Sequence, residues 1–246
     1  MAPTKRGWWS GSLPIDRVLV FTATYDEAGN ISPLIEEVFR QLPSCDMLVV
    51  DDNSPDGTGD ILDALAHRYP RLSVVHRPRK SGLGSAHRLA MQHALAGGYD
   101  ALITMDADFS HHPRYLPTMV EQLEESDFVT GSRYAPGGSC SYGLARRALS
   151  RTANVLTRGL LRIPLHETTT SYRGFRRSLL SLLDVDSIRS DGYSYMVESI
   201  FRVSRVTRSM SEFPIAFVDR RAGQSKISKF EIWKGFTTLM RLWLRP

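Results

Sequence analysis

The first half of the chain alternates two kinds of segment, and that alternation constrains its fold more than any other feature. Short apolar runs occupy residues 17–22 (RVLVFT), 46–50 (DMLVV), 73–76, 101–105 (ALITM) and 128–131. The second closes on Asp51-Asp52 and the fourth on Asp106. Between the first two, Ile31, Leu34, Ile35, Val38, Phe39 and Leu42 recur at helical intervals and predict a helix with one buried face. Ile61, Leu62 and Leu65 predict a second helix, residues 85–95 a third, and Leu116, Met119, Val120 and Leu123 a fourth. Strands joined by amphipathic helices imply an α/β fold, a Rossmann-like, mostly parallel sheet flanked by helices. Parallel strands bring the polar residues that follow them to one edge, where open α/β sheets bind ligands. The second half is less regular: 141–161 and 193–204 read as helices and 212–218 as a strand.

At 246 residues, 42% hydrophobic and 23% charged, the chain suffices for one sizeable core. Mean hydropathy is −0.22, and no apolar stretch reaches the ~20 residues that a membrane span needs. Residues 1–14 carry Trp8 and Trp9 but no signal-type apolar region, and are expected to form a disordered tail. Cys45 and Cys140 match no metal or redox spacing, which fits a reducing, cytosolic compartment. A net charge of +5 suits phosphates, nucleic acids or an anionic membrane surface without choosing among them.

The sharpest chemical signal is Asp106-Ala107-Asp108, directly after a buried strand. Two carboxylates one residue apart can converge on a hard cation, Mg²⁺ or Mn²⁺, that shares its shell with substrate phosphates. A turn capping the helix near Pro113 is the plainer reading, since Ser110 could cap as well. His111 and His112 follow, but a hard ion beside phosphates does not require them. Asp52 could accept from base or ribose donors, and Tyr25 could stack on a base beside Glu27. The loop 77–84 (RPRKSGLG) lacks phosphate-loop spacing and is expected to order the wall over a nucleotide. Arg133 follows the fifth strand and Arg146, Arg147 and Arg151 follow it on a helix; Arg220, Arg221 and Lys226 lie in a Gly-bearing loop. Such cations suit an anionic acceptor, although charge runs are commonly only solvated faces. Near the end, Ile232, Trp233, Phe236, Leu239, Met240 and Trp243 form a helical stripe beside cations, suited either to core packing or to a membrane interface.

With these motifs assembled, the chain resembles the dolichol-phosphate mannosyltransferases, also called polyprenol monophosphomannose synthases. The matching strings, in order, are TYDEAGNI, VVDDNSPDGTG, KSGLGSA, MDADFSHHP, GSRY, DGYSYMVE and FVDRRAGQSK. The resemblance implies a GT-A fold, a catalytic domain over 15–227 and a C-terminal amphipathic helix over 228–246. It implies inverting transfer of mannose from GDP-mannose to a polyprenyl monophosphate, with a divalent cation, Mg²⁺ or Mn²⁺. On the same basis Tyr25, Glu27, Val50 and Asp52 hold guanine and ribose, and Asp106, Ala107, Asp108 and Ser110 contact donor and metal. Arg133, Arg220 and Lys226 contact phosphates, with Asp108, Arg133 and Arg220 carrying the catalysis. Arg133, Arg147 and Arg220 take the lipid phosphate. The implied partners are the donor, the lipid and the cytoplasmic face of a membrane, with no nucleic acid; a membrane-protein partner is left open. Two departures stand out: Asp26 replaces the usual Asn, and Ser171 stands where the family pattern has Gly.

Related transferases using UDP-glucose, and a non-catalytic membrane adaptor on the same fold, are the competing readings. A dinucleotide oxidoreductase would need Gly-x-Gly-x-x-Gly after the first strand, and residues 23–30 hold none.

Overall fold

The structure, a computed structural model, describes residues 14–218 and 229–244. Most of the expected tail, together with Arg220, Arg221 and Lys226, lies outside the described residues. The strands are β1 (Val18–Thr24), β2 (Asp46–Asp51), β3 (Leu72–His76), β4 (Ala101–Thr104), β5 (Phe128–Ser132), β6 (Ser139–Cys140), β7 (Arg173–Arg176), β8 (Met210–Pro214) and β9 (Ala216–Phe217). The helices are α1 (Ala28–Gln41), α2 (Thr58–Arg68), α3 (Leu83–Ala96), α4 (Leu116–Glu125), α5 (Leu144–Leu161), α6 (Arg177–Leu182), α7 (Tyr193–Val206) and α8 (Lys229–Leu244).

Seven strands form one sheet in the order β3-β2-β1-β4-β7-β5-β8, and β6 pairs with β9 in a second, two-stranded one. All pairings in the large sheet are parallel except those of β7, which runs antiparallel to both β4 and β5. Alternate side chains of each strand enter opposite layers, as the pleat requires. Leu19, Phe21, Leu48 and Val50 pack with Ala90, Ile200, Leu239 and Leu242 on one face. Val18, Val20, Met47 and Val49 pack with Ile31, Leu34, Leu62 and Met119 on the other. Helices cover both faces, which explains why these strands read as continuous apolar runs.

Three expectations need correction. The strand expected over 212–218 is two strands, β8 and β9, broken at Ile215 after Pro214. β7 was not expected at all: its sequence RGFR carries no apolar run. In α8 the buried positions are Thr238, Leu239 and Leu242, while Ile232, Trp233, Phe236 and Trp243 point outward. The expected single stripe therefore divides between a core contact and an exposed aromatic face.

Candidate active site

Because β1, β2, β4 and β5 run the same way, the turns after them meet at one sheet edge. β7 enters from the opposite direction, with Arg173 level with Thr104 and Thr130, and so delivers 167–172 to the same edge. Three non-glycine residues there adopt left-handed backbone: Asp26 (φ 56°), Asn53 (φ 58°) and Phe109 (φ 63°). Each such residue costs about 1–3 kcal/mol, and strain of this kind concentrates at ligand sites.

The first two turns are laced together. Asp51 accepts from the Thr24 hydroxyl at 2.8 Å, the Ser54 hydroxyl at 2.6 Å and the Ser54 amide at 3.0 Å. Ser54 Oγ in turn accepts the Asp26 amide at 3.1 Å, and Thr58 Oγ1 accepts the Glu27 amide at 3.0 Å. Asp51 is thus consumed in fixing backbone. Asp52 instead pairs with the Arg77 guanidinium, both side chains being about a tenth exposed or less, and accepts the Gly82 amide at 3.2 Å. Glu27 accepts from Asn30 Nδ2 at 2.8 Å. Tyr25 is half-buried, and the Lys80 ammonium lies 3.6 Å from its ring centroid. Val50 is fully buried in the core, so only its backbone can reach a ligand. The basic loop 77–84 forms a wall over Tyr25 and Asp52, with Lys80 above the ring and the Gly82 amide on the carboxylate.

After β4, the Asp106 side chain is 40% exposed and accepts a hydrogen bond from the Ser171 hydroxyl. Ser171, at the position of the family's glycine, thereby supplies a donor that glycine lacks. His111 is buried; its Nδ1 accepts the Asp106 amide at 3.3 Å, and its Nε2 lies 2.8 Å from Thr170 Oγ1. A ring nitrogen that accepts carries no proton, so the proton sits on Nε2, directed at Thr170. Burial lowers the pKa of His111 despite the opposing pull of Asp106 and Asp108, which keeps it neutral. With both nitrogens engaged, His111 orients the Asp106 turn and is not a metal ligand. His112 Nδ1 accepts the Arg114 amide at 3.1 Å and faces a groove with Glu36, Glu37 and Phe109.

Asp108 is buried to 6% exposure and accepts the Ser110 amide at 3.1 Å. The Ser110 hydroxyl is buried with no hydrogen-bond partner among the described residues. An orphaned hydroxyl normally costs about 1–3 kcal/mol, a cost that a bound ion would offset. No cluster of three His, Cys, Asp or Glu able to hold a metal occurs among the described residues. The carboxylates of Asp106 and Asp108 and the hydroxyl of Ser110 are nonetheless oxygen donors of the kind that a hard divalent ion takes alongside phosphate and water. Ala107 is buried between the two acids.

Arg133, after β5, is held by a buried carboxylate, Glu167, a pairing that the sequence did not reveal. Its Nε and Nη2 donate to Glu167 at 2.6 and 2.7 Å, its Nη1 to the Tyr142 hydroxyl at 2.9 Å, and its Nη2 also to Thr169 at 2.9 Å. The guanidinium lies 5.0 Å from the Phe217 ring centroid. Burial would lower its pKa, but the Glu167 charge overrides that, and the pKa is raised. The carboxyl of Glu167 shifts down for the reciprocal reason: burial opposes its ionisation and the guanidinium prevails. Arg133 is thus a largely engaged cation. It nonetheless shares a cavity of about 300 Å³ with Arg147, Arg151, Arg158, Asn154 and His166. Of the three arginines assigned to a lipid phosphate, Arg133 and Arg147 line this one cavity, and Arg220 lies outside the described residues.

Residues 19–183 match the model of glycosyl transferase family 2. An undecaprenyl-phosphate mannosyltransferase from Micrococcus luteus is 39% identical over 213 residues, 86% of this chain and 88% of that protein. A polyprenol monophosphomannose synthase from Mycolicibacterium smegmatis is 39% identical over 218 residues, 87% of this chain and 82% of that protein. Among solved structures, the glucosyl-3-phosphoglycerate synthase of Mycobacterium tuberculosis, in complex with Mn²⁺, UDP and glucosyl-3-phosphoglycerate, superposes with a TM-score of 0.68 at 18% identity over 94% of this chain and 81% of that one. A mannosyltransferase from Pyrobaculum calidifontis in complex with GDP-Man and Mn²⁺ gives 0.59 at 19% identity over 92% of this chain and 64% of that one. The structures establish the GT-A fold, and the sequence relatives establish the lineage: the chain is a glycosyltransferase of family 2, belonging to the polyprenol monophosphomannose synthases.

Proposed function

We propose that the enzyme transfers mannose from GDP-mannose to a polyprenyl monophosphate with inversion, on the cytoplasmic face of a membrane. One juxtaposition carries the reading. The Asp106-Ala107-Asp108 turn, with the orphaned Ser110 hydroxyl, shares a sheet edge with the arginine-lined cavity of Arg133 and Arg147. One part suits a nucleoside diphosphate with its cation, the other a second phosphate.

The acceptor oxygen attacks the anomeric carbon from the face opposite the leaving group. A C–O bond forms, the bond to the diphosphate breaks, and its electron pair leaves with GDP. No proton need move, because a monophosphate with a second pKa of ~6 is already ionised near neutral pH. A general base is therefore dispensable, and this chain contributes position and charge. Tyr25, Glu27 and Asp52 hold the nucleoside; Asp106 and Asp108 orient the diphosphate side, where a divalent cation supplies charge neutralisation. Arg147 and the Glu167-held Arg133 seat the acceptor phosphate. Arg220 and Lys226 are assigned to the phosphates on the strength of the family pattern.

The lipid chain has to stay in a bilayer while its phosphate enters. No described helix is long and apolar enough to cross a membrane. The exposed Trp233, Phe236 and Trp243 of α8, and Leu144, Leu149 and Val155 of α5, suit peripheral contact.

The test is turnover of GDP-mannose with a short polyprenyl phosphate and Mg²⁺ or Mn²⁺. Mannosyl lipid and GDP should form, chelation should stop the reaction, and Asp108→Ala should lower kcat on the order of a thousandfold with the fold retained. Thermal stabilisation by UDP-glucose but not by GDP-mannose would overturn the donor; metal-independent turnover in Asp108→Ala would overturn the role of the cation.

A further inference from the structure

We propose that Asp191 is a positioning residue for the nucleotide, the middle link of a hydrogen-bonded relay from α8 to Asp52. The inference rests on the reading of Asp52 as a donor-site acid. Asp191 Oδ1 accepts the Gly84 amide at 2.6 Å, and two residues earlier the Gly82 amide donates to Asp52. The turn fits its seat closely. Gly82 has φ 90°, and a Cβ there would lie 1.9 Å from the Asp191 carboxylate; a Cβ on Gly84 would lie 2.7 Å from the Ser190 carbonyl. Arg77, the partner of Asp52, also donates to the Gly82 carbonyl at 3.1 Å. Leu83 packs against the buried cluster of Ile188, Tyr195 and Met196. The wall over Tyr25 and Asp52 is therefore moulded on the segment before α7 and cannot take its shape alone.

That segment is in turn fixed from α8. Glu198, buried on α7, accepts the Ser190 amide at 3.0 Å. Arg241 of α8 donates to both Glu198 and the Ser190 hydroxyl at 3.0 Å. The path from Arg241 through Glu198, Ser190 and Asp191 to Gly82–Gly84 and Asp52 is continuous, and of its members Asp52 alone needs to touch the nucleotide. The helix bearing the exposed tryptophan face thereby braces the nucleobase wall.

The test is GDP affinity by calorimetry with Mn²⁺ present, donor KM and kcat, and hydrogen exchange of the 77–84 amides. Asp191→Ala should weaken GDP binding and raise donor KM about tenfold, as expected for loss of a hydrogen bond to a charged acceptor. It should change kcat by less than about threefold and accelerate exchange in 77–84, since the wall is ordered before chemistry. Asp191→Asn, which keeps the acceptor oxygen, should recover most of the affinity. Arg241→Ala, a change at a half-exposed side chain, should act in the same direction, with Arg241→Lys restoring. Unchanged GDP affinity and exchange in Asp191→Ala, while Asp52→Ala weakens GDP, would overturn the relay alone. Unchanged affinity in Asp52→Ala would overturn the donor-site reading on which it rests.

Discussion

Replacing Glu167 by Gln keeps the size of the side chain and removes its charge, which isolates the role of the buried pair beneath the arginine-lined cavity. Glu167 is fully buried and Arg133 nearly so. The carboxylate accepts two bonds from the guanidinium, at 2.6 and 2.7 Å, and two from Thr169, at 3.1 and 2.9 Å. Removing one partner of a buried pair costs about 3–5 kcal/mol because the other charge is left without compensation. An amide still offers one acceptor, so the lower end applies, about 3 kcal/mol. At an unfolding entropy of about 2 cal/mol/K per residue, that lowers Tm by about 6 °C in a chain of 246 residues. Urea unfolding near pH 7.5, with scanning calorimetry beside it, reads the effect. Combining Glu167→Gln with Arg133→Met should recover at least half of the loss, because the stranded charge is gone. A loss below about 1 kcal/mol, or a double variant as unstable as the sum of the singles, would refute the claim that Arg133 depends on Glu167.

Further consequences follow from burial and exposure. The pKa of His87 is pushed down to about 3 by burial, with Arg173 adding to it, whereas the unfolded chain takes up a proton near 6.5. Its stabilisation is thus complete above pH 6.5 and declines as pH falls toward 3, by at most about 1.4 kcal/mol per unit. His87→Gln should flatten the fall of the urea midpoint between pH 7.5 and 5, and an unchanged slope would exclude His87 as its source. Trp233 and Phe236 are 63% and 47% exposed, so alanine at both should shift Tm by no more than a degree or two while reducing co-sedimentation with anionic vesicles. Leu239→Ala, at a buried site on the same helix, should instead cost about 2–5 kcal/mol. Ser110→Ala should leave stability equal or slightly higher without metal, but raise the Mn²⁺ concentration for half-maximal turnover about tenfold; an unaltered metal requirement would remove Ser110 from the site.

Much of the fold was legible because strands buried on both faces and helices buried on one have distinct periods. β1 to β5 and α1 to α4 therefore announced themselves, and with them the edge that gathers Tyr25, Asp52, Asp106 and Asp108. β7 did not, since Arg173 occupies a core position that an apolar pattern cannot mark. Its charge is accommodated by Ser199 Oγ at 2.8 Å and by the carbonyls of Thr168 and Met196 at 2.9 and 3.0 Å. Missing β7 left Glu167 without a role, since no spacing connects it to Arg133, 34 residues away. Arg77 was assigned to a loop for the same reason: its partner Asp52 is adjacent only once β2 and β3 have paired. Local periodicity records elements, whereas ion pairs formed by closure of long loops leave no local trace.

The antiparallel entry of β7 has a bearing on the order in which the protein matures. β5 pairs only with β7 and β8 within the large sheet, so during synthesis it has no strand to join until residues 173–176 have emerged. Until then β4 is an edge, and Asp106 lacks its Ser171 donor 65 positions downstream. A chain released before that point carries all of the acids of the DAD turn and an open flank of unpaired backbone, the kind of surface that recruits chaperones or aggregates. The DAD turn is therefore completed only by a segment made long after it, fastened by a strand inserted between two that precede it in the chain.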